Sequence, residues 1–149
     1  MTGYLLDRDV LGAAENPEGN RNVHIWIDGI PDRDLYISAV TVMEARKGFA
    51  RQRAKAKTDT EKNEILGYEA DFDDILAGFG DRILPLDRAV ADRWGEMLGQ
   101  REANVMDAAV AATAFVHGVV VATRNASDFR GRGVRHVDPF KATPTIVDP

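Results

Sequence analysis

The chain has 149 residues, of which 44% are hydrophobic, a size and composition that fit one compact domain with its own core. It contains no cysteine, which excludes disulfides, thiolate metal sites and a cysteine nucleophile. Its three histidines are scattered, so a catalytic metal would need oxygen ligands, which Mg²⁺ and Mn²⁺ prefer. The formal net charge of −5 disfavours a polyanionic partner unless several of the acids surround a bound cation.

The first half of the chain predicts two short strands and four helices. The strands cover residues 3–7 and 35–39, and the helices cover residues 8–15, 23–30, 41–57 and 59–78. A turn at residues 16–20 and Pro31 separate the early elements. The last two helices carry heavily charged faces, and we expect them to form an antiparallel pair.

The second half predicts three more strands and two more helices. The strands cover residues 82–86, 119–123 and 133–137, and the helices cover residues 87–100 and 104–117. The helix at 104–117 is small or apolar almost all round, so it should be buried, with Asn104 as its cap. Strands that alternate with helices predict an α/β sandwich with a mainly parallel sheet. We expect one domain at residues 1–140 and a loosely ordered tail at 141–149.

No targeting or membrane segment is expected. The first residues lack the basic stretch and long apolar core of a signal peptide. No apolar run approaches the roughly 20 residues that a membrane-spanning helix needs. The sequence therefore predicts a soluble, cytoplasmic protein with no membrane partner.

Four acidic residues lie in otherwise apolar or strand-following segments. They are Asp7, Glu44, Asp107 and Asp128. A carboxylate in an apolar setting must pair, accept hydrogen bonds or bind a metal, because unpaired buried charge is costly. Ligands of parallel sheets bind beyond the carboxyl ends of the strands, where these segments are expected to meet. The pattern suggests one shared acidic pocket for a divalent cation.

Each acid also has a structural alternative. Asp7 and Asp128 are compatible with helix caps, and Thr41 to Glu44 matches a capping box in which the glutamate bonds the cap residue. Asp107 is the lone charge on an alanine-rich helix face, although the helix dipole would favour an acid in its first turn. Asp9 fits either a cap or an exposed position.

Basic residues form two clusters. The first, residues 46–57, contains no acid and includes Arg46, Lys47 and Arg51. The second follows Asp128 and consists of Arg130, Arg132 and Arg135. Both clusters fit solvated surfaces. They also fit a phosphate-binding rim around the acidic pocket.

Four segments carry a resemblance to a known family. They are residues 4–11 (YLLDRDVL), 38–48 (SAVTVMEARKG), 106–114 (MDAAVAATA) and 123–129 (TRNASDF). In this order they resemble the signature segments of PIN-domain ribonucleases, and more narrowly of VapC-type toxins of bacterial toxin–antitoxin pairs, over residues 3 to about 138.

The resemblance implies a three-layer α/β/α PIN fold and an endoribonuclease that depends on Mg²⁺ or Mn²⁺. It also implies a homodimer inhibited by a cognate antitoxin, with a hetero-oligomer of the two as a further assembly. By matching position, Asp7, Glu44, Asp107 and Asp128 are the metal-binding and catalytic acids. Thr123 and Asn125 match polar residues that shape the site. With RNA as the substrate, the basic residues expected to contact it are Arg46, Lys47, Arg51 and Arg130.

One segment departs from the family pattern. The first signature usually reads Asp-Thr-Asn or Asp-Ser-Asn, whereas this chain has Asp7, Arg8 and Asp9. Asp9 adds negative charge near the expected metal. Arg8 would lower the charge of the site by pairing with Asp7 or Asp9.

Two other functions remain open from the residues. Asp7 and Asp9 fit the Asp-x-Asp start of haloacid-dehalogenase-type phosphatases, but lysine, which that class needs later in the chain, is absent from residues 63–140. Alternatively, the chain acts as a protein-binding module whose acidic pocket receives an arginine of a partner. Metal-assisted hydrolysis of an RNA phosphodiester is the leading hypothesis.

Overall fold

A five-stranded parallel sheet lies at the centre of the computed structural model, which describes residues 2–149. The strands are β1 (Tyr4–Leu6), β2 (Leu35–Ser38), β3 (Ile83–Leu84), β4 (Val120–Ala122) and β5 (His136–Val137). Their order in the sheet is β3-β2-β1-β4-β5, and all neighbouring pairs are parallel. The predicted parallel sheet is confirmed.

In the part of the chain that the structure describes, seven α-helices connect and cover the strands. They are α1 (Arg8–Glu15), α2 (Arg21–Asp28), α3 (Ala39–Lys55), α4 (Asp59–Phe79), α5 (Arg88–Gln100), α6 (Val105–His117) and α7 (Ala126–Phe129). Most bounds match the predicted ones. Two differences are clear: α2 begins earlier than predicted because Asn20 caps it, and the short helix α7 is additional to the predicted helices.

The alternation of side chains along each strand separates two apolar cores. Leu5 and Val121 face one side, where they pack with the alanines of α6 and with Val90 and Met97 of α5. Leu6 belongs to the opposite core, which also contains residues of α1, α2 and α4. Because a strand has a period of two, adjacent leucines serve opposite faces. The result is the predicted three-layer α/β/α sandwich.

Helix α6 is the most deeply buried helix, as its composition predicted. Seven consecutive residues, 108–114, are at most 1% exposed. Alanine side chains let α6 approach both the sheet and α5 closely, and the indole Nε1 of Trp94 on α5 donates to the carbonyl of Val105 at 2.9 Å. The first turn of α6, which carries Asp107, is therefore held firmly at the end of the sheet.

Residues 141–149, for which the sequence predicts a loosely ordered tail, include one residue that pairs with the sheet. Val147 forms an antiparallel bridge with His136 of β5. Its N–H donates to the His136 carbonyl at 2.8 Å, and its carbonyl accepts from the His136 N–H at 3.1 Å. The division of the chain at residue 140 stays a prediction.

Within residues 2–149, no helix combines the length and the apolar composition that a bilayer crossing requires.

Candidate active site

Asp7 lies at the carboxyl end of β1 and performs two structural tasks. Its Oδ1 accepts from the Arg8 N–H at 2.9 Å, which caps α1, and its Oδ2 accepts from the Thr123 hydroxyl at 2.9 Å. The residue is only 7% exposed. Burial raises the pKa of Asp7, the two hydrogen bonds oppose that rise, and the charges of Asp9 and Asp128 add to it. Asp7 therefore caps α1, as the structural alternative predicted, and also lies near other acidic side chains.

Thr123 connects the ends of two neighbouring strands. It follows β4 directly, is fully buried, and donates through its Oγ1 to Asp7. The same oxygen accepts from the Asn125 N–H at 2.9 Å, which turns the chain towards α7. Asn125 itself is exposed and makes no side-chain cap for α7. Thr123 thus orients Asp7 and starts the loop that brings Asp128 to the site.

Glu44 reaches the site from α3, but the predicted capping box is wrong. The cap is Ser38, whose Oγ accepts from the Thr41 N–H at 3.2 Å, so α3 begins at Ala39. Glu44 consequently lies in the second turn and is half-buried. Burial and the Asp7 charge raise the pKa of Glu44, whereas Arg8 and Lys47 lower it. Glu44 therefore does not cap α3, and its carboxylate lies near enough to Asp7 for the two charges to interact.

Asp107 shows the largest electrostatic perturbation of the four. It is half-buried in the first turn of α6. Burial, the charges of Asp7 and Asp128, a hydrogen bond with Asp128 and the charge of Glu44 together raise the pKa of Asp107 to about 6. The four predicted acids therefore lie close enough to act on one another, although they come from four separate segments.

Asn104 is a site residue that the sequence did not reveal. It lies at the predicted cap position of α6, in a left-handed conformation with φ of 51°, but its side chain makes no cap hydrogen bond. Its Nδ2 instead donates to Asp128 Oδ1 at 3.0 Å. Asparagine tolerates this conformation better than most residues do. The strained residue thus holds Asp128 beside the first turn of α6.

The donor set of this cluster fits a hard divalent cation. Its members offer carboxylate oxygens only, the ligands that Mg²⁺ and Mn²⁺ prefer. The raised pKa of Asp107 indicates negative charge that the protein leaves uncompensated. Across residues 2–149, however, no three acidic or histidine side chains converge into a ready-made metal cage. The cluster is an open arrangement in which a cation would draw the carboxylates closer.

Arg8 and Asp9 are both exposed at the start of α1. Asp9 is near enough to raise the pKa of Asp7, as expected for an additional acid. In the described part of the chain, Arg8 forms no ion pair within 4.0 Å with Asp7 or Asp9, so the predicted pairing is absent. Its guanidinium lies beside Gly48 on α3, from where it lowers the pKa of Glu44.

The first basic cluster is partly neutralised by α4. Arg46 forms an ion pair with Asp73 and lies 5.1 Å from the centroid of the Phe72 ring. Arg53 pairs in the same way with Glu69. Asp73 and Glu69 of α4 are therefore ion-pair partners of α3. Lys47, Arg51 and Arg130 are exposed, and their proposed contact with RNA remains a prediction.

The second basic cluster contains a buried member. Arg132 is only 3% exposed, whereas the sequence suggested a surface position. Its Nη2 donates to the Ala103 carbonyl at 2.5 Å and its Nη1 to the Arg101 carbonyl at 3.5 Å. Residues 101–104 are thus held by Arg132 on one side and, through Asn104, by Asp128 on the other. Nothing in the local pattern apart from the flanking Gly131 and Gly133 signals this burial.

The carboxylate cluster does not lie in the largest groove described here. A groove of about 590 Å³ lies between α1, α2 and α4 and contains none of the four acids of the cluster. The candidate site is therefore recognised by its charges and their elements, not by its volume.

Comparisons with known proteins find a matching family, similar sequences and a similar structure. The family model of the PIN domain matches residues 4–132. The VapC ribonuclease Y4jK of Sinorhizobium fredii is 30% identical over 142 residues, covering 92% of this chain and 97% of the relative. Toxin FitB of Neisseria gonorrhoeae is 33% identical over 141 residues, covering 91% and 97%. The crystal structure of FitAcB from the same organism superposes with a TM-score of 0.75 at 32% identity, covering 92% of this chain and 98% of that one.

Proposed function

This chain belongs to the PIN-domain family, and from that premise we propose that it is a metal-dependent endoribonuclease and the toxin of a toxin–antitoxin pair. Relatives at about 30% identity over most of the chain are named as a VapC ribonuclease and as a toxin. The substrate would be RNA, and the reaction would be hydrolysis of its phosphodiester bonds in the cytoplasm. Family membership favours this hypothesis over a haloacid-dehalogenase-type phosphatase.

One observation carries the proposal: four carboxylates from four segments lie close enough for their charges to act on one another. Asp7, Asp128 and Glu44 each contribute to the raised pKa of Asp107. Repulsion of this kind destabilises the fold, so a purely structural role does not account for it. It is the arrangement expected of a site that binds a cation.

The cofactor would be Mg²⁺ or Mn²⁺. We assign Asp7 and Asp107 as direct ligands, with Glu44 and Asp128 completing the site directly or through water. A cation bound there lowers the pKa of a coordinated water and offsets negative charge on the phosphate.

The protein's own groups would prepare this site in three ways. Thr123 holds the Oδ2 of Asp7 in one orientation, and Asn104 does the same for Asp128. Asp107, with a pKa of about 6, must release its proton before it can act as a ligand. Binding of the cation to the free protein should therefore strengthen as the pH increases through about 6.

The direct test removes the charge of a ligand while keeping its shape. Asp7→Asn and Asp107→Asn should each abolish divalent-cation-dependent cleavage of RNA, measured on a labelled oligonucleotide. Asp71→Asn, an exposed acid on α4, is the matched control and should keep full activity. Full activity in both cluster variants would contradict the metal-site assignment.

A second hypothesis is a catalytically weak protein-binding module. The open arrangement of the acids favours it, because no ready-made cage is present within residues 2–149. In that case the cluster would receive an arginine of a partner. Calorimetric titration with Mn²⁺ distinguishes the two: the nuclease hypothesis requires binding by the free protein that Asp107→Asn weakens, and the module hypothesis requires none.

The partner would be a cognate antitoxin, and the chain would form a homodimer or a hetero-oligomer with it. The structure of FitAB bound to a DNA fragment matches this chain with a TM-score of 0.75 at 31% identity, and its name is that of a two-component assembly. Co-expression with the neighbouring open reading frame, followed by light scattering, measures both the partner and the stoichiometry.

A further inference from the structure

A small cavity lies between the carboxyl-terminal half of α5 and the loop that follows α7. Its volume is about 210 Å³, and its lining contains three arginines and no acid: Arg93, Met97, Gln100, Arg101, Gly131, Arg132 and Gly133. This volume is below the roughly 300 Å³ at which pockets for whole small molecules begin. The cavity has room for a group such as a phosphate together with water, rather than for a complete nucleotide.

Arg132 is the charge of this cavity that lacks a counterion. It is buried, and its Nε has no hydrogen-bond acceptor. Among residues 2–149, no carboxylate oxygen lies within 4.0 Å of its nitrogens, and its two bonded partners are neutral carbonyls. Arginine does not lose its proton in proteins, and Asp107 and Asp128 offset this charge from more than 4.0 Å away, so an anion in direct contact would stabilise it further.

Arg93 supplies a second guanidinium with an unsatisfied nitrogen. Its Cζ lies 3.9 Å from the centroid of the Phe115 ring, and its Nη1 donates to the exposed Glu96 at 3.3 Å, while its Nε is buried without a partner. Gly133, with φ of 74°, approaches so closely that a Cβ there would lie 3.2 Å from Arg93 Nη2. The ring and the glycine loop hold Arg93 in place beside the cavity.

The cavity adjoins the carboxylate cluster. The charges of Asp107 and Asp128 act on the pKa of Arg132, and residues 101–104 run from the cavity to the first turn of α6. A strand of RNA has a phosphate at every nucleotide. A strand whose scissile phosphate lay at the acids would therefore carry further phosphates at the distance of a neighbouring pocket.

We propose that this arginine-lined cavity binds a phosphate group of the RNA strand. A guanidinium presents a planar fork that matches phosphate oxygens, and charge-assisted hydrogen bonds of this type are about twice as strong as neutral ones. The cavity would thus hold the strand while the carboxylate cluster acts on another phosphate. This inference rests on the proposed function for the identity of the strand, but the anion site itself does not.

The first experiment uses inorganic phosphate and the full chain in EDTA, so that no divalent cation takes part. The backbone amide signals of Gly131 and Gly133 should shift on titration in nuclear magnetic resonance spectra. Arg101→Gln removes one lining charge and leaves the carbonyl that Arg132 uses, and it should raise the apparent Kd about tenfold, as one lost charge-assisted hydrogen bond would. Arg88→Gln is the matched control, because the Arg88 side chain is 94% exposed at the other end of α5, the helix that Arg101 follows.

The second experiment measures a single-stranded RNA oligonucleotide by fluorescence anisotropy, again in EDTA. Arg101→Gln should weaken binding about tenfold and reduce the slope of log K against log salt by about 0.7, the value for one phosphate contact on a single strand. Arg88→Gln should change neither quantity.

The outcomes separate this inference from the proposed function. Equal phosphate and RNA affinities in Arg101→Gln and Arg88→Gln would overturn the phosphate cavity, whether or not RNA is cleaved. A response to inorganic phosphate alone would overturn the assignment to RNA. Weakened binding of both ligands in Arg101→Gln supports the phosphate cavity even if the protein does not cleave RNA. The absence of cleavage would count against the proposed nuclease and not against the cavity.

Discussion

The carboxylate cluster and the arginine cavity both collect charges of one sign, but they accommodate those charges differently. In the cluster, Asp107 takes up a proton readily because its pKa is raised to about 6. In the cavity, Arg132 stays charged and depends on the carbonyls of Arg101 and Ala103. The acids can relieve their repulsion by neutralisation, whereas the arginine requires permanent hydrogen bonds.

This difference has a functional meaning. The acidic side should respond to pH and to cations, while the basic side should be constant over the physiological range. Residues 101–104 join the two, since Arg132 holds one end and Asn104 bonds Asp128 at the other. The following predictions test how far the two sides differ.

The largest effect is expected from Arg132→Met. The variant leaves two carbonyls without their donor and frees residues 101–104, a loss that outweighs the relief from removing an unpaired buried charge, so the free energy of unfolding should fall by about 2 kcal/mol. Urea denaturation measures the loss. Arg130→Met, at an exposed neighbouring position, is the control, and an equal effect of the two changes would show that Arg132 is not a structural anchor.

Asp107→Asn should have the opposite sign and depend on pH. A raised pKa means that folded Asp107 holds its proton more tightly than the unfolded chain does. The contribution of this protonated group to stability is complete below pH 3.8, the ordinary pKa of an aspartate, and is lost as the pH rises through about 6. Asparagine mimics the protonated acid, and it should stabilise the protein by about 1 to 2 kcal/mol at pH 7, a value reduced for solvent screening. Denaturation at pH 7 and pH 3.5 should show the gain at the higher pH alone.

Thr123→Val should cost about 1 kcal/mol and shift the activity profile. The change removes the hydroxyl that donates to Asp7 and accepts from Asn125. Because that hydrogen bond lowers the pKa of Asp7, the acidic limb of the pH–rate curve should move to higher pH. Thr113→Val, which also removes a buried hydroxyl, serves as control, and an identical pH profile in both variants would exclude an orienting role for Thr123.

The smallest effect belongs to charges that already have partners. Arg53 and Glu69 form an ion pair across α3 and α4 with partly exposed side chains. A double-mutant cycle with Arg53→Gln and Glu69→Gln should give a coupling free energy below about 1 kcal/mol. A coupling free energy as large as the loss in Arg132→Met would contradict the proposed difference between exposed ion pairs and the charges of the carboxylate cluster and the arginine cavity.

The parts of the fold that follow from periodicity could be predicted from the sequence. The alternation of strands and helices specified a parallel sheet, and the alanine-rich face of residues 108–114 indicated a buried helix. Parallel strands present their carboxyl ends at one edge, which is why the acids that follow β1 and β4 could be expected to approach each other.

The remaining details depend on contacts between distant residues. Ser38, rather than Thr41, caps α3 because the strand before it ends there. Asn104 leaves the capping geometry to bond Asp128, 24 positions later. Arg132 is buried only because α5 and the loop after α7 enclose it, and no local pattern encodes that enclosure.

The bridge between Val147 and His136 covers part of the outer edge of β5, an edge strand of the sheet. An edge strand normally offers unpaired N–H and C=O groups to any extended chain, which promotes aggregation and strand addition by peptides. Here the outward backbone groups of His136 are already used, and the opposite border strand, β3, has only two residues. A binding partner therefore finds little template for pairing at either border, and recognition of this protein should proceed through helices and grooves.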